Sequence, residues 1–154
     1  MKMLASGSPK EDILSYLTTA AETGSGSDAV ASILLLDKDG LLRNGSSPKL
    51  PADYLRAIDG LRPSPTVGTC AAAAATGSVI MTPDFYADDK WAELKHLPLA
   101  LGFVGAWSMP IKTADNVVLG TFGTYFRDKR NPSPVEMKGI ELLAIAVSKV
   151  LAGL

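Results

Sequence analysis

One cysteine, Cys70, and one histidine, His96, occur in the 154 residues. A lone cysteine excludes an internal disulfide, a thiolate metal cluster and a nucleophile with a resolving cysteine in the same chain. A lone histidine excludes the usual zinc sites, and a Ser-His-Asp arrangement would have to be built around His96 alone. No metal site and no catalytic set is therefore expected, and no cofactor can be named. An excess of one charge is missing too: 15 basic against 16 acidic residues leave a net charge of -1, so nothing recruits nucleic acid or an anionic membrane surface. No apolar run approaches the roughly 20 residues that span a bilayer, and Met1 to Pro9 has no apolar stretch resembling a signal peptide. A cytoplasmic protein is expected. What is present, 47% apolar with 20% charged residues, suits one globular domain over residues 1–154 with one real core.

Ser8-Pro9-Lys10-Glu11 has capping-box spacing with proline at the first helical position, and Ile13, Leu14, Leu17, Ala20 and Ala21 then share one face. This predicts a helix from about Pro9 to Thr23. The branched apolar run Val30 to Leu36, stopped by Asp37-Lys38-Asp39-Gly40, reads as a buried strand entering a hairpin, with Leu41 to Asn44 as its partner. Leu50-Pro51 opens a short helix through Ile58. Gly68-Thr69-Cys70 leads into Ala71 to Ala75, a block of the best helix former closed by Thr76-Gly77, and Ser78 to Met81 reads as a strand. Thr82 to Gly102 is irregular, with interspersed aromatics, and is expected to form a lid-like crossover. Strands follow at Gly105 to Lys112 and Val117 to Arg127. Ser133-Pro134-Val135-Glu136 repeats the capping-box spacing ahead of a last helix carrying Val135, Met137, Ile140, Leu143, Ala144, Val147 and Leu151. Strands joined by hairpins favour an antiparallel α+β sheet over a doubly wound parallel one.

Leu50-Pro51 with Tyr54, Ala57-Ile58-Asp59-Gly60-Leu61, Val67-Gly68-Thr69-Cys70 with Ala73, Asp84 with Trp91, Gly102 leading to Trp107-Ser108-Met109-Pro110-Ile111, Val118-Leu119-Gly120-Thr121-Phe122 with Tyr125, and Arg130 with Pro132 and Glu136 follow one another over about a hundred residues. In this order they resemble the GAF domain family, in the form found in bacterial signalling proteins. The resemblance implies an antiparallel sheet of five to six strands, with the terminal helices on one face and a ligand pocket under short helices and the lid on the other. It also implies a sensory role, since relatives bind cyclic nucleotides, bilins, haem, oxo-acids or small anions such as nitrate. The family's Asn-Lys-x-x-x-Phe-Asp-Glu motif for cyclic nucleotides is not visible, and Cys70 precedes Ala71 where bilin-attaching relatives have a histidine. Relatives that reduce free methionine sulfoxide use several cysteines. Ala106 stands where the bacterial signalling form of the family commonly has a cysteine before the tryptophan.

The candidate ligand-binding residues are Cys70, Ala71, Ala72, Phe85, Trp91 and Trp107. The backbone N–H groups of Cys70, Ala71 and Ala72 open a helix, where unused donors and the helix dipole favour an anion. Thr69 is placed to cap the same donors instead. Small alanine side chains leave room for a ligand, or equally allow tight packing on a sheet, and free Cys70 reads most simply as a small buried hydrophobe. Trp107 and Ser108 are adjacent in a strand and must face opposite ways, so only one of them can line a pocket. Phe85, Tyr86 and Trp91 on the crossover either close over a ligand or pin the lid to the core. His96 and the run Arg127-Asp128-Lys129-Arg130 are taken as surface residues.

The function expected is a regulatory domain that binds a small molecule, a small anion or carboxylate being favoured, and passes the signal to a histidine kinase or other output domain. A homodimer through the terminal helices is expected. A dimerisation scaffold without a ligand is the alternative, and a Cys70-dependent redox enzyme a weaker one.

Overall fold

The seven residues Val30–Leu36, uncharged and free of glycine and proline, form β1, an inner strand of the sheet rather than an edge. The computed structural model describes residues 10–25, 29–65, 68–86, 99, 101–128 and 132–151. In chain order the elements are α1 (Lys10–Ser25), β1 (Val30–Leu36), β2 (Leu42–Ser46), α2 (Ala52–Ile58), α3 (Thr69–Thr76), β3 (Ile80–Thr82), β4 (Gly105–Lys112), β5 (Val118–Phe126) and α4 (Pro134–Leu151). The strands make one five-stranded sheet in the order β2-β1-β5-β4-β3, and every pairing is antiparallel. The α+β arrangement expected from the hairpins is the one observed.

Asp37 shapes the turn between β1 and β2. Its carboxylate accepts the N–H groups of Asp39 at 2.8 Å and Leu41 at 3.0 Å, and pairs with Arg43 Nε at 2.9 Å. These contacts, the Leu41 N–H bond foremost, hold the Asp37 carboxyl below its ordinary pKa. Arg43 also reaches Asp59 at 2.7 Å, tying the end of α2 to the same turn.

Alternation along the strands divides the sheet into two faces. Ala31, Ile33, Trp107, Ile111, Phe122 and Phe126 point one way, against Ile13, Leu14, Leu17 and Ala21 of α1 and Ile140, Ala144, Val147 and Val150 of α4. Val30, Leu34, Ala106 and Tyr125 point the other way, under Tyr54 and Ile58 of α2, Cys70, Ala71 and Ala74 of α3, and Phe85 and Phe103. There are thus two apolar layers rather than the one core expected from length. Leu119 is a bulge: Ile111 pairs with Gly120 but Lys112 with Val118, so the intervening residue joins the helix-side layer while Val118 joins the other.

Burying a side chain such as Leu17 or Val147 contributes about 1.5–3 kcal/mol, whereas a helix cap contributes about 1. Sheet packing therefore holds the terminal helices more than their ends do. The second capping box does form: Glu136 N–H donates to Ser133 Oγ and Ser133 N–H to Glu136 Oε1, both at 3.1 Å. The first, Ser8 to Glu11, begins outside the described residues.

Candidate functional site

Helix α3 lies on the face opposite the terminal helices, and alanine is what lets it lie so close. Ala72 and Ala73 are fully buried, and the backbone of β5 passes beneath Cys70. A Cβ placed on Gly123 would meet Cys70 Sγ at 3.0 Å and Ser108 Oγ at 3.4 Å, so glycine there is a consequence of the approach. Gly77, at φ 68°, closes the helix in the left-handed conformation and donates its N–H to Ala73 O. Of the two expectations for the alanine block, tight packing on the sheet is the one these contacts show.

The helix opens at Thr69, one residue before its expected start, with Gly68 as N-cap. The donors ahead of the helical ladder shift accordingly: Cys70 and Ala71 keep theirs, while the Ala72 N–H, four residues after the cap, belongs to the first rung. Thr69 is the first helical residue rather than the N-cap. Its hydroxyl bonds to Thr82 Oγ1 at 2.9 Å, and Gly68, the N-cap, has no side chain to offer the turn.

Cys70 Sγ lies 3.0 Å from Ser108 Oγ. Burial pushes the thiol above its ordinary pKa, with the Ser108 and Thr121 hydroxyls offsetting part of that rise. It is a neutral, enclosed thiol, the opposite of an activated nucleophile. Beside it the Tyr54 and Tyr125 hydroxyls are 2.8 Å apart, with their rings edge to face at 5.9 Å. Burial raises the pKa of both phenols, and for Tyr125 the neighbouring Tyr54 adds to the rise. Between these groups is a cavity of about 20 Å³, lined among others by Gly68, Thr69, Cys70, Ala71, Tyr54 and Tyr125. That is room for about one water-sized group.

Both described ends of the crossover are pinned to this face. Phe85 is fully buried and its N–H donates to Val104 O at 2.8 Å. Phe103 stacks at 5.2 Å on Tyr125, with the Arg127 guanidinium 4.6 Å above its ring and Arg127 Nη1 bonded to Leu101 O. Arg127, expected to belong to a solvated turn, thus fastens the end of the crossover; a guanidinium over a ring contributes about 0.5–1 kcal/mol at an exposed site. Tyr86 is exposed. Trp91 and His96 lie outside the described residues.

Of the expected site residues, then, Cys70, Ala71, Ala72 and Phe85 come together on the α3 face. Trp107 does not join them. Its indole is buried in the layer under α1 and α4, where Nε1 has no hydrogen-bond partner among the described residues, and Ser108 takes the inward position beside Cys70. Tyr54, Tyr125 and Ser108 were absent from the expected set. The sequence signal for them was the period-two series Thr121, Gly123, Tyr125, whose small or polar members share the face of Ser108. On the helix-bearing side, a groove of about 530 Å³ runs between α4 and the ends of β3 and β4, lined by half-buried or exposed residues including Val79, Met109, Lys112, Met137, Glu141 and Ile145. No group of histidine, cysteine, aspartate and glutamate among the described residues could hold a metal ion, and no described helix is long and apolar enough to cross a membrane.

Comparison with known proteins places this geometry. The chain is 29% identical over 157 residues to a methyl sulfide methyltransferase-associated sensor of Methanosarcina acetivorans, covering 99% of this chain but only 16% of that protein. A domain of a protein described as a two-component sensor histidine kinase of Sinorhizobium meliloti 1021 has the same fold, with a TM-score of 0.77 at 22% identity over 92% of this chain and 90% of that one. So does a type II free methionine-R-sulfoxide reductase of Thermoplasma acidophilum, with a TM-score of 0.70 at 13% identity over 94% of each chain. A sequence model of the GAF domain matches residues 8–152, and the chain belongs to the GAF domain family.

Proposed function

We propose that this chain is a regulatory domain that senses a small molecule at the opening turn of α3 and acts through an output domain of a signalling protein. The carrying observation is the convergence of buried donors there. Cys70 and Ala71 of the opening turn and the hydrogen-bonded Tyr54 and Tyr125 line one cavity, and none of its described lining residues is charged. Such a site suits a small anion or carboxylate better than a phosphorylated nucleotide, which calls for several basic side chains. The groove beside α4 is larger, but its polar side chains are half-buried or exposed, and water competes there for their contacts. The relatives named as a sensor and a sensor kinase support an output partner, a histidine kinase among the candidates. A cytoplasmic setting is part of the same reading.

The thiol supports a non-enzymatic role. A reductase shares the fold, yet here the single cysteine is buried, bonded to Ser108 and held in its neutral form. The test of the sensor reading is a melting screen of small carboxylates, inorganic anions, nucleotides and tetrapyrroles. A ligand that binds only the folded state adds about 2.7 kcal/mol at a hundred times its dissociation constant. If no class moves the melt, the sensor reading fails.

Homodimerisation has its own support. Val135, Leu142 and Ile145 of α4 are 82%, 56% and 48% exposed and recur at the seven- and three-residue spacing of a helical seam. Light scattering should find a dimer, and Leu142→Glu with Ile145→Glu should return it to monomer. A wild type that is monomeric at all concentrations tested removes this part of the proposal.

A further inference from the structure

We infer that the Tyr54–Tyr125 hydroxyl pair is the ligand-reading element of this site, donating one O–H to an oxygen of a small carboxylate or other oxyanion that the opening turn of α3 holds by its Cys70 and Ala71 N–H groups. The inference rests on the sensor reading above and adds to it the residues that select the ligand. Two hydroxyls own two protons. In the 2.8 Å contact one hydroxyl donates and the other accepts, so the accepting phenol's proton is left without an acceptor among the described residues. Both phenols are buried, Tyr54 and Tyr125 being 4% exposed, so bulk water does not take that proton. A buried donor left unused is costly, and native proteins rarely tolerate one.

The cavity that both rings border, about 20 Å³, admits one oxygen-sized group. The opening residues of α3, Thr69 to Ala71, line the same cavity, where the first-turn N–H groups and the positive end of the helix dipole favour an acceptor. An acceptor oxygen seated there receives an O–H from the phenol pair and N–H groups from the helix. The phenols supply this donation throughout the neutral range, because burial keeps them protonated. Neutral donors without a countercharge bind the ionised acid and discriminate against amines, which bring only further donors.

Sodium formate, sodium acetate and sodium nitrate, with ammonium chloride against sodium chloride as the control for a cation, are titrated calorimetrically into wild type and into the Tyr54→Phe/Tyr125→Phe double variant. Removing both hydroxyls together leaves no orphan and is close to neutral for folding, which a urea melt checks. At least one oxyanion should bind wild type, and the double variant should bind it about ten- to a hundredfold more weakly, the value of a hydrogen bond to a charged group. Wild type supplies a second readout, since saturation should shift the near-ultraviolet absorption of its tyrosines. Equal affinity in the two proteins, or binding with no tyrosine shift, overturns this inference and leaves the sensor reading standing. If none of the oxyanions binds wild type, both fall for this class of ligand.

Discussion

The contact between Cys70 and Gly123 is a direct measure of why a block of alanine and a glycine-bearing strand belong together. Gly123→Ala places a methyl group 3.0 Å from Cys70 Sγ and 3.4 Å from Ser108 Oγ. A carbon and a sulfur in ordinary contact sit several tenths of an ångström further apart, so α3 or β5 must move. Overpacking of this kind costs about 1–3 kcal/mol. Cys70→Ala alone should cost about 1–2 kcal/mol, because Ser108 Oγ loses its bond to the thiol while remaining 1% exposed. In the Cys70→Ala background, however, the added methyl group enters the space the sulfur leaves. There Gly123→Ala should be neutral or stabilising by about 0.5–1 kcal/mol, the backbone entropy that glycine forfeits in a strand. The two substitutions should therefore couple by about 1–4 kcal/mol, as expected for residues in direct contact. Urea unfolding of the four proteins at neutral pH measures the cycle. If Gly123→Ala costs the same in both backgrounds, α3 does not rest on β5 as described.

The remaining predictions concern the same face. Ala72 is fully buried, so Ala72→Leu should lower stability by about 1–3 kcal/mol in a thermal melt even without ligand. A melting temperature equal to that of wild type would show open space behind Ala72. Cys70 should resist a thiol reagent under native conditions and react once urea unfolds the chain, and rapid native labelling would contradict the raised, buried thiol. Stability should hold through neutral pH and decline in alkali. Cys70, Tyr54 and Tyr125 all have folded pKa values raised above their ordinary ones. The unfolded chain therefore releases these protons first, and each group lowers stability by up to about 1.4 kcal/mol per pH unit between its unfolded and folded values. Urea midpoints from pH 7 to 11 should fall from about pH 9 upward, and more gently in Tyr54→Phe/Tyr125→Phe. A flat profile would contradict the burial of these groups.

Most of the fold was legible because local rules and tertiary packing agree. The interval Gly105 to Lys112 is identical as expectation and as strand, since the turn Thr113-Ala114-Asp115-Asn116 ends it on one side and Gly105 begins it on the other. Helix α1 runs to Ser25 rather than Thr23, a difference that lies in a fraying end where serine and glycine carry no strong signal. β3 slid from the expected Ser78–Met81 to Ile80–Thr82 because Thr82 joins the ladder through Ala106 on β4. That pairing partner lies 24 residues away in sequence, and no local pattern announces it.

The site was legible in its residue types but not in its orientation. Period two says that Trp107 and Ser108 part company, yet it does not say which of the two faces carries α3. Trp107 meets the apolar side chains of α1 and α4, whereas the position of Ser108 lies under Cys70, where the close approach of α3 to β5 leaves room only for a small side chain. Once that is granted, the rest follows without further information. Ser108 faces inward beside Cys70, its cross-strand partner Gly123 faces inward with it, and Tyr125, two residues along, must share that face with Tyr54 above it. The facing of one residue pair thus sets the facing of both strands, and with it the polar groups near the cavity.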